Sequence, residues 1–234
     1  MIPKVIHYCW FGRNPLPKSA KKCIASWKKY LSDYEIKEWN EGNFDVNIIP
    51  YTHDAYEAKK YAFVSDYARF WILYNYGGVY FDTDVEVIRP MDALIEKGAF
   101  MGWEKPNNVG TPSIAPGLGL AAPKGHPFYE IVLNGFVNLN FYKDNGERNP
   151  YTMIPMVTDF LLEKGLTRND FLQIIDDIFF YPSEYLCPMN AITGRITITK
   201  NTYTIHWYTM SWLPFIVHLR VKLMRIARRF FSIK

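Results

Sequence analysis

Residues 65–85 read Ser-Asp-Tyr-Ala-Arg-Phe-Trp-Ile-Leu-Tyr-Asn-Tyr-Gly-Gly-Val-Tyr-Phe-Asp-Thr-Asp-Val, and their pattern decides the fold. An apolar and aromatic run carrying Asp66 and Arg69 predicts a helix, which Gly77-Gly78 stops. A short apolar strand follows and delivers two carboxylates, Asp82 and Asp84. Acidic side chains one residue apart at the end of a buried strand are costly unless something positive sits between them. A divalent metal holding a diphosphate satisfies that requirement.

Working outward, Val5 to Trp10 reads as a first strand, Lys18 to Leu31 as a helix and Tyr34 to Trp39 as a second strand. Ile24, Trp27 and Leu31 fall at helical spacing. One long helical region is expected from about Asp54 to Tyr76, with short strands at Tyr80 to Asp82 and Val85 to Ile88 flanking the acidic pair. Phe100 to Trp103 is another strand, and Glu104 to Gly119, rich in Pro, Gly and Asn, reads as a loop long enough to serve as a lid. Helices are expected over Phe128 to Tyr142 and Met153 to Lys164, strands over Ile178 to Tyr181 and Ile196 to Thr199, and a final apolar-basic helix from about Leu213. Strands alternating with helices imply an α/β fold with a mostly parallel central sheet. Ligands of such sheets bind at the carboxyl ends of strands, where Asp82 and Asp84 fall.

A chain of 234 residues can bury a full core as one domain. With 17 Tyr, 16 Phe and 7 Trp, most aromatics must fill that core, leaving some to stack on bases or sugars. Cys9, Cys23 and Cys187 are odd in number and in no metal-binding spacing, which suits a reducing compartment. The start of the chain has no signal-peptide pattern and no stretch is long enough for a transmembrane helix, so a cytoplasmic location is expected. The net charge of +4 is concentrated in the tail: six basic residues and no acids occupy the last 21 positions, and the remainder is slightly acidic. That distribution argues against nucleic acid as a partner.

If the strand continues through Thr83, Asp82 and Asp84 point to the same side and can converge on one ion. Mn²⁺ and Mg²⁺ favour carboxylate and phosphate oxygens. The alternative is a solvated turn with two surface aspartates. Asp66 and Arg69 lie three apart on one helix face, so they are either a local surface ion pair or, because the helix is otherwise apolar, a buried pair suited to holding hydroxyls. Glu104, between a strand and the lid, is either an acceptor-side carboxylate or a loop residue facing water. The His7 side chain reads as lying inside the first strand, and His53, His126 and His218 and the pair Asp176-Asp177 as ordinary surface or turn residues.

Ser65-Asp66-x-x-Arg69, then an apolar stretch ending in Gly77-Gly78-Val79-Tyr80-Phe81-Asp82-x-Asp84, resembles the sugar-binding DXD region of glycosyltransferase family 32. That family includes bacterial capsular polysaccharide transferases and yeast mannosyltransferases, and its core is similar to that of the large clostridial glucosylating toxins. Further matches are Ile2 to His7 with Trp10-Phe11-Gly12, Lys124-Gly125-His126-Pro127, Tyr181 to Tyr185, and His206 with Ser211-Trp212. The resemblance implies a GT-A-type nucleotide-sugar-binding fold over 1–212 and a retaining transferase using Mn²⁺ or Mg²⁺ and a nucleotide-sugar donor, most simply a UDP-hexose. It implies Asp84 as main metal ligand, with Asp82 near the ribose or the metal and His206 beside them, and Asp66 and Arg69 on the donor sugar hydroxyls. It places Trp10 against the base, the backbone around Val5 to His7 at the base edge, and His206, Ser211 and Trp212 over the diphosphate.

The last segment, 213–234, has Leu219, Leu223, Ile226 and Phe230 on one helical stripe and His218, Lys222, Arg225 and Arg229 opposite. A basic amphipathic helix on an anionic membrane surface fits this, and a helix docked on the domain competes with it. The combined expectation is a hexosyltransferase at the inner face of the cytoplasmic membrane, building a capsular or surface polysaccharide on a glycan or lipid-linked oligosaccharide acceptor. Two other readings compete: a haloacid-dehalogenase-type phosphatase using Asp82 and Asp84, with Asp176-Asp177 as distant metal carboxylates, and a non-catalytic membrane-bound partner protein.

Overall fold

The computed structural model describes residues 1–104, 111–209, 220, 224 and 225. In chain order the elements are β1 (Val5–Cys9), α1 (Lys18–Tyr30), β2 (Glu35–Trp39), α2 (Pro50–Glu57), α3 (Tyr61–Tyr76), β3 (Gly78–Tyr80), β4 (Val85–Val87), α4 (Asp92–Ile95), β5 (Ala99–Glu104) and β6 (Ser113–Ile114). Then come a 3₁₀ turn (Pro116–Leu118), β7 (Leu120–Ala122), α5 (Pro127–Val137), α6 (Met153–Glu163), β8 (Gln173–Ile175), β9 (Ile178–Tyr181), α7 (Ser183–Leu186) and β10 (Thr204–His206).

The central sheet runs β2-β1-β3-β7-β5-β9-β8, with β6 on β5. β1 pairs in parallel with β2 and β3, β7 runs against both β3 and β5, and β9 is parallel to β5. Five of these eight strands therefore share one direction; β6, β7 and β8 oppose it. The fold is α/β with a mostly parallel sheet, as the alternation of elements implies. A separate ribbon pairs β10 antiparallel to β4 and brings the chain near residue 206 back to the residues after Asp84.

Alternation along β1 builds both layers of the core. Ile6 and Tyr8 pack with Trp27 and Leu31 on the α1 side, and Cys9 faces Phe70, Ala68 and Trp39 on the α3 side. Trp27 is fully buried and its indole N–H donates to the Val85 carbonyl across 2.8 Å, fastening α1 to β4. The Gly77-Gly78 turn is needed for close approach as well as for its positive φ values of +67° and +107°. A Cβ on Gly77 would stand 2.7 Å from the Lys124 nitrogen, and one on Gly78 2.7 Å from the Val5 carbonyl oxygen.

Several boundaries differ from the sequence expectation. The single helix expected from Asp54 to Tyr76 is two: α2 begins earlier, with Pro50 in its first turn, and ends where Lys59 takes φ +56° and Lys60 donates to the Ala55 carbonyl. Ile196 to Thr199 forms only an isolated bridge, from Ile196 to Met189, and the strand lies at Thr204–His206 instead. Most important, the strand before the acidic pair stops at Tyr80, and residues 83–84 form a turn closed by Val85 N–H donating to the Asp82 carbonyl at 3.0 Å. Among the described residues no helix is long and apolar enough to cross a membrane. The helix expected over 213–234 lies outside the described residues except for Arg220, Met224 and Arg225; Arg225 donates to the carbonyls of Ala191 (2.9 Å) and Tyr208 (3.4 Å).

Candidate functional site

α3 carries Asp66 and Arg69 to the carboxyl end of β3, where the 82–84 turn begins. The Arg69 side chain retains only 4% of its exposure, and its Nη2 lies 3.2 Å from Asp66 Oδ1 and 3.0 Å from Asp82 Oδ1. The guanidinium also sits over the Tyr80 ring, 5.1 Å from its centroid. Tyr80 hydroxyl donates to the same Asp82 oxygen at 3.0 Å. The Asp66–Arg69 pair is thus buried and bridged to the acidic turn, not a solvated pair on a surface. Arg69 Nε has no hydrogen-bond partner among the described residues.

Asp84 is held from the other side. Its Oδ1 meets His206 Nε2 at 3.0 Å, and its Oδ2 accepts from the Thr209 N–H (2.8 Å) and hydroxyl (3.1 Å). Trp207 N–H donates to the Asp84 carbonyl, extending the β4–β10 ribbon into the site. Burial alone raises a carboxyl pKa, but the His206 charge and hydrogen bond, with those from Thr209, outweigh it and hold Asp84 at about 2. His206 is displaced in the complementary sense: burial lowers its pKa, and Asp84 more than offsets this, so the net shift is upward. Asp82 and Asp66 are pushed up by burial, which Arg69 only partly counters; Asp66 reaches about 6.

Asp82, Asp84 and His206 each offer one ligand atom, and these atoms lie within 4.8 Å of one another. Two carboxylates and one imidazole suit a divalent ion of the Mn²⁺ type, which accepts nitrogen as well as oxygen donors. Three carboxylates stand here against one fixed cation, Arg69, and His206 Nδ1 is buried without a partner among the described residues. The donor set therefore fits a bound cation.

These groups line a cleft of about 820 Å³, which also takes in Trp10, Phe11, Glu104 and Tyr208. That is the size of a small-molecule site. Trp10 is half-buried, its indole N–H donating to the Asn14 carbonyl at 2.6 Å, and part of it lines the cleft. Gly117, on the 3₁₀ turn, closes the floor: a Cβ there would stand 2.1 Å from Asp82 Oδ2 and 3.4 Å from Arg69 Nη1.

The structure brings Trp10, Asp66, Arg69, Asp82, Asp84 and His206 to one cleft; the His7 side chain does not line it, so only the backbone of His7 is left for the base-edge role the resemblance implies. His7 shares the α3 side of β1 with Cys9 but lies two residues further from the strand's carboxyl end, where it is buried, accepts from Trp39 Nε1 at Nδ1 (3.0 Å) and donates from Nε2 to the Gly77 carbonyl (3.0 Å). Burial lowers its pKa to about 4 and keeps it neutral. Ser211 and Trp212 lie outside the described residues. Asp176 and Asp177 sit in the β8–β9 turn, beside the start of β5 and so at the opposite end of the sheet from Glu104; the phosphatase arrangement is not assembled. Sequence reasoning missed Tyr80, Gly117, Tyr208 and Thr209. Only Tyr80 carried a readable signal, two positions before Asp82 on an apolar strand.

Comparison with known proteins agrees with this geometry. The family described as "Glycosyltransferase sugar-binding region containing DXD motif" matches residues 17–101, which contain Asp66, Arg69, Asp82 and Asp84. Inositol phosphoceramide mannosyltransferase 3 of Schizosaccharomyces pombe is 31% identical over 141 residues, covering 57% of this chain and 37% of the relative. This chain therefore spans little more than a third of that relative's length. An uncharacterized glycosyltransferase, L373, of Acanthamoeba polyphaga mimivirus is 27% identical over 235 residues, covering 94% of this chain and 86% of the relative. Among solved structures, a glycosyltransferase involved in glycosylation of the major capsid of PBCV-1 superposes with a TM-score of 0.55 at 14% identity, covering 96% of this chain and 100% of the other. That likeness shows the GT-A fold.

Proposed function

We propose that this chain, which is similar to the DXD-containing glycosyltransferases of family 32, transfers a hexose from a nucleoside diphosphate to an acceptor hydroxyl with retention at the anomeric carbon. The observation that carries this reading is the convergence of Asp82, Asp84 and His206 beside the buried Asp66–Arg69 pair in one cleft. Asp82, Asp84 and His206 would hold Mn²⁺ or Mg²⁺, which when bound offsets negative charge on a departing diphosphate.

The remaining work falls to side chains. Arg69 and Asp66 supply a donor and an acceptor at fixed separation, the pairing that a sugar diol requires, and being buried they hold it with little reorganisation. Trp10 offers an indole edge or face to the base, worth roughly 1–3 kcal/mol if stacked. His206, held against Asp84 at 3.0 Å, is neutral when it ligates the ion and lies on the side where the diphosphate would depart.

The donor is a UDP-hexose in the simplest form of the proposal; the mannosyltransferase names of the yeast relatives make GDP-mannose the first alternative to test. Those names also favour an acceptor that is membrane-linked, in keeping with a lipid-linked precursor of a surface or capsular glycan. On this proposal 1–212 is the catalytic domain, and 213–234 brings it to the inner face of a membrane. Release of UDP or GDP from a panel of nucleotide-hexoses, with and without Mn²⁺, tests the reading. Metal-dependent release that Asp84→Ala abolishes supports it; full activity in chelator rejects it.

A further inference from the structure

Glu104 ends β5, separated from β3 by β7, so it stands about 10 Å across the sheet from the strand that delivers Asp82. A continuous wall joins the two. Asp84 contacts His206, the Tyr208 ring packs edge-on against the His206 ring with centroids 4.2 Å apart, and the Tyr208 hydroxyl donates to Glu104 Oε1 across 3.0 Å. The same hydroxyl lies 2.9 Å from Cys187 Sγ, so with its own proton on Glu104 it accepts from the thiol. Tyr208 takes φ +46°, a conformation that a bulky aromatic residue keeps only where its surroundings enforce it.

Among the described residues Glu104 Oε2 accepts from Ser113 Oγ at 3.5 Å, which leaves acceptor capacity facing the cleft. A carboxylate in that place repels a diphosphate and attracts a neutral hydroxyl. Asp66, Arg69 and the acidic turn serve the donor on the other side. We propose that Glu104 accepts a hydrogen bond from a hydroxyl of the acceptor, that Tyr208 is the positioning residue that fixes its carboxylate, and that the acceptor presents a sugar or polyol. This rests on the transferase reading above.

The test is the partition of transferred hexose between glycerol and water. The whole chain is incubated with Mn²⁺ and the nucleotide-hexose it consumes, in a molar concentration of glycerol, and glycosyl-glycerol is measured against free hexose. The wild type should favour glycerol beyond its share of the solvent. Glu104→Gln should reduce that preference about tenfold, the loss of one hydrogen bond to a charged group. Tyr208→Phe, which keeps the ring packing, should reduce it by a smaller factor and decides the case if the first variant fails to fold. A preference that survives both substitutions, no preference in the wild type, or a rise in the donor KM with an unchanged ratio overturns the proposal. No consumption of any nucleotide-hexose is a different result: it rejects the transferase reading itself, and this assignment with it.

Discussion

Arg69 Nη2 donates to Asp82 Oδ1 across 3.0 Å at a point where the arginine side chain is almost wholly removed from water. The same nitrogen reaches Asp66, so one buried cation holds a helix and the acidic turn in register. Removing it leaves two carboxylates uncompensated. We expect Arg69→Ala to lower stability by about 3–5 kcal/mol, read from urea unfolding. Arg69→Lys keeps the charge but loses the planar fork, and its main effect should be a rise in donor KM.

Gly117 has no chemistry of its own, yet the site depends on its missing side chain. A Cβ there meets Asp82 Oδ2 at 2.1 Å, so Gly117→Ala must move either the turn or the carboxylate. Catalytic geometry tolerates displacements of that size poorly: we expect a loss of about a hundredfold in turnover. The melting temperature should change far less than in Arg69→Ala. Wild-type turnover in this variant would show that Asp82 is not held where it is needed.

Asp66 provides a pH signature. Burial raises its carboxyl from 3.8 to about 6 in the folded protein, so the folded state binds the proton more tightly than the unfolded one. Its contribution to stability is fully present below the unfolded value and is lost as pH rises through 6. By that shift, Asp66→Asn should gain on the wild type by up to about 3 kcal/mol between pH 3.5 and 7 in the absence of metal. Activity should move the opposite way if, as proposed, the ionised carboxylate accepts a donor-sugar hydroxyl: the wild-type donor KM should rise on acidification through pH 6. Denaturant midpoints of both proteins across this range, with donor KM for the wild type, check both signs.

Trp27 fastens α1 to β4 by packing and by its hydrogen bond to Val85, directly behind the acidic turn. Trp27→Ala should cost about 3–5 kcal/mol. Trp27→Phe, which keeps most of the volume but leaves the Val85 carbonyl without that donor, should cost about 1–3 kcal/mol. Thermal or denaturant unfolding of the two variants separates the terms.

Much of this site was legible because its residues sit on regular elements. Helical spacing put Asp66 and Arg69 on one face, and an apolar strand with a Gly-Gly start announced the carboxylates after it. The convergence itself was read for the wrong reason. Asp82 and Asp84 meet through a turn anchored at Gly117 and Thr209, not through strand alternation, and turn geometry set by distant partners leaves no local pattern. His7 reads from the sequence as a residue inside the first strand, and the fold agrees: Trp39 and Gly77 occupy both its ring nitrogens. The break between α2 and α3 was hidden because Lys59, without a glycine or proline, adopts the left-handed conformation that ends the first helix.

The central claim is that Asp82, Asp84 and His206 together hold a divalent ion that carries a nucleoside diphosphate. Calorimetric titration of UDP and GDP into the protein, with Mn²⁺ and again in chelator, tests it most directly. We expect binding that requires Mn²⁺ and that weakens by about a hundredfold or more in Asp84→Ala. Equal nucleotide affinity in chelator and in Asp84→Ala, with both proteins folded, would contradict the account.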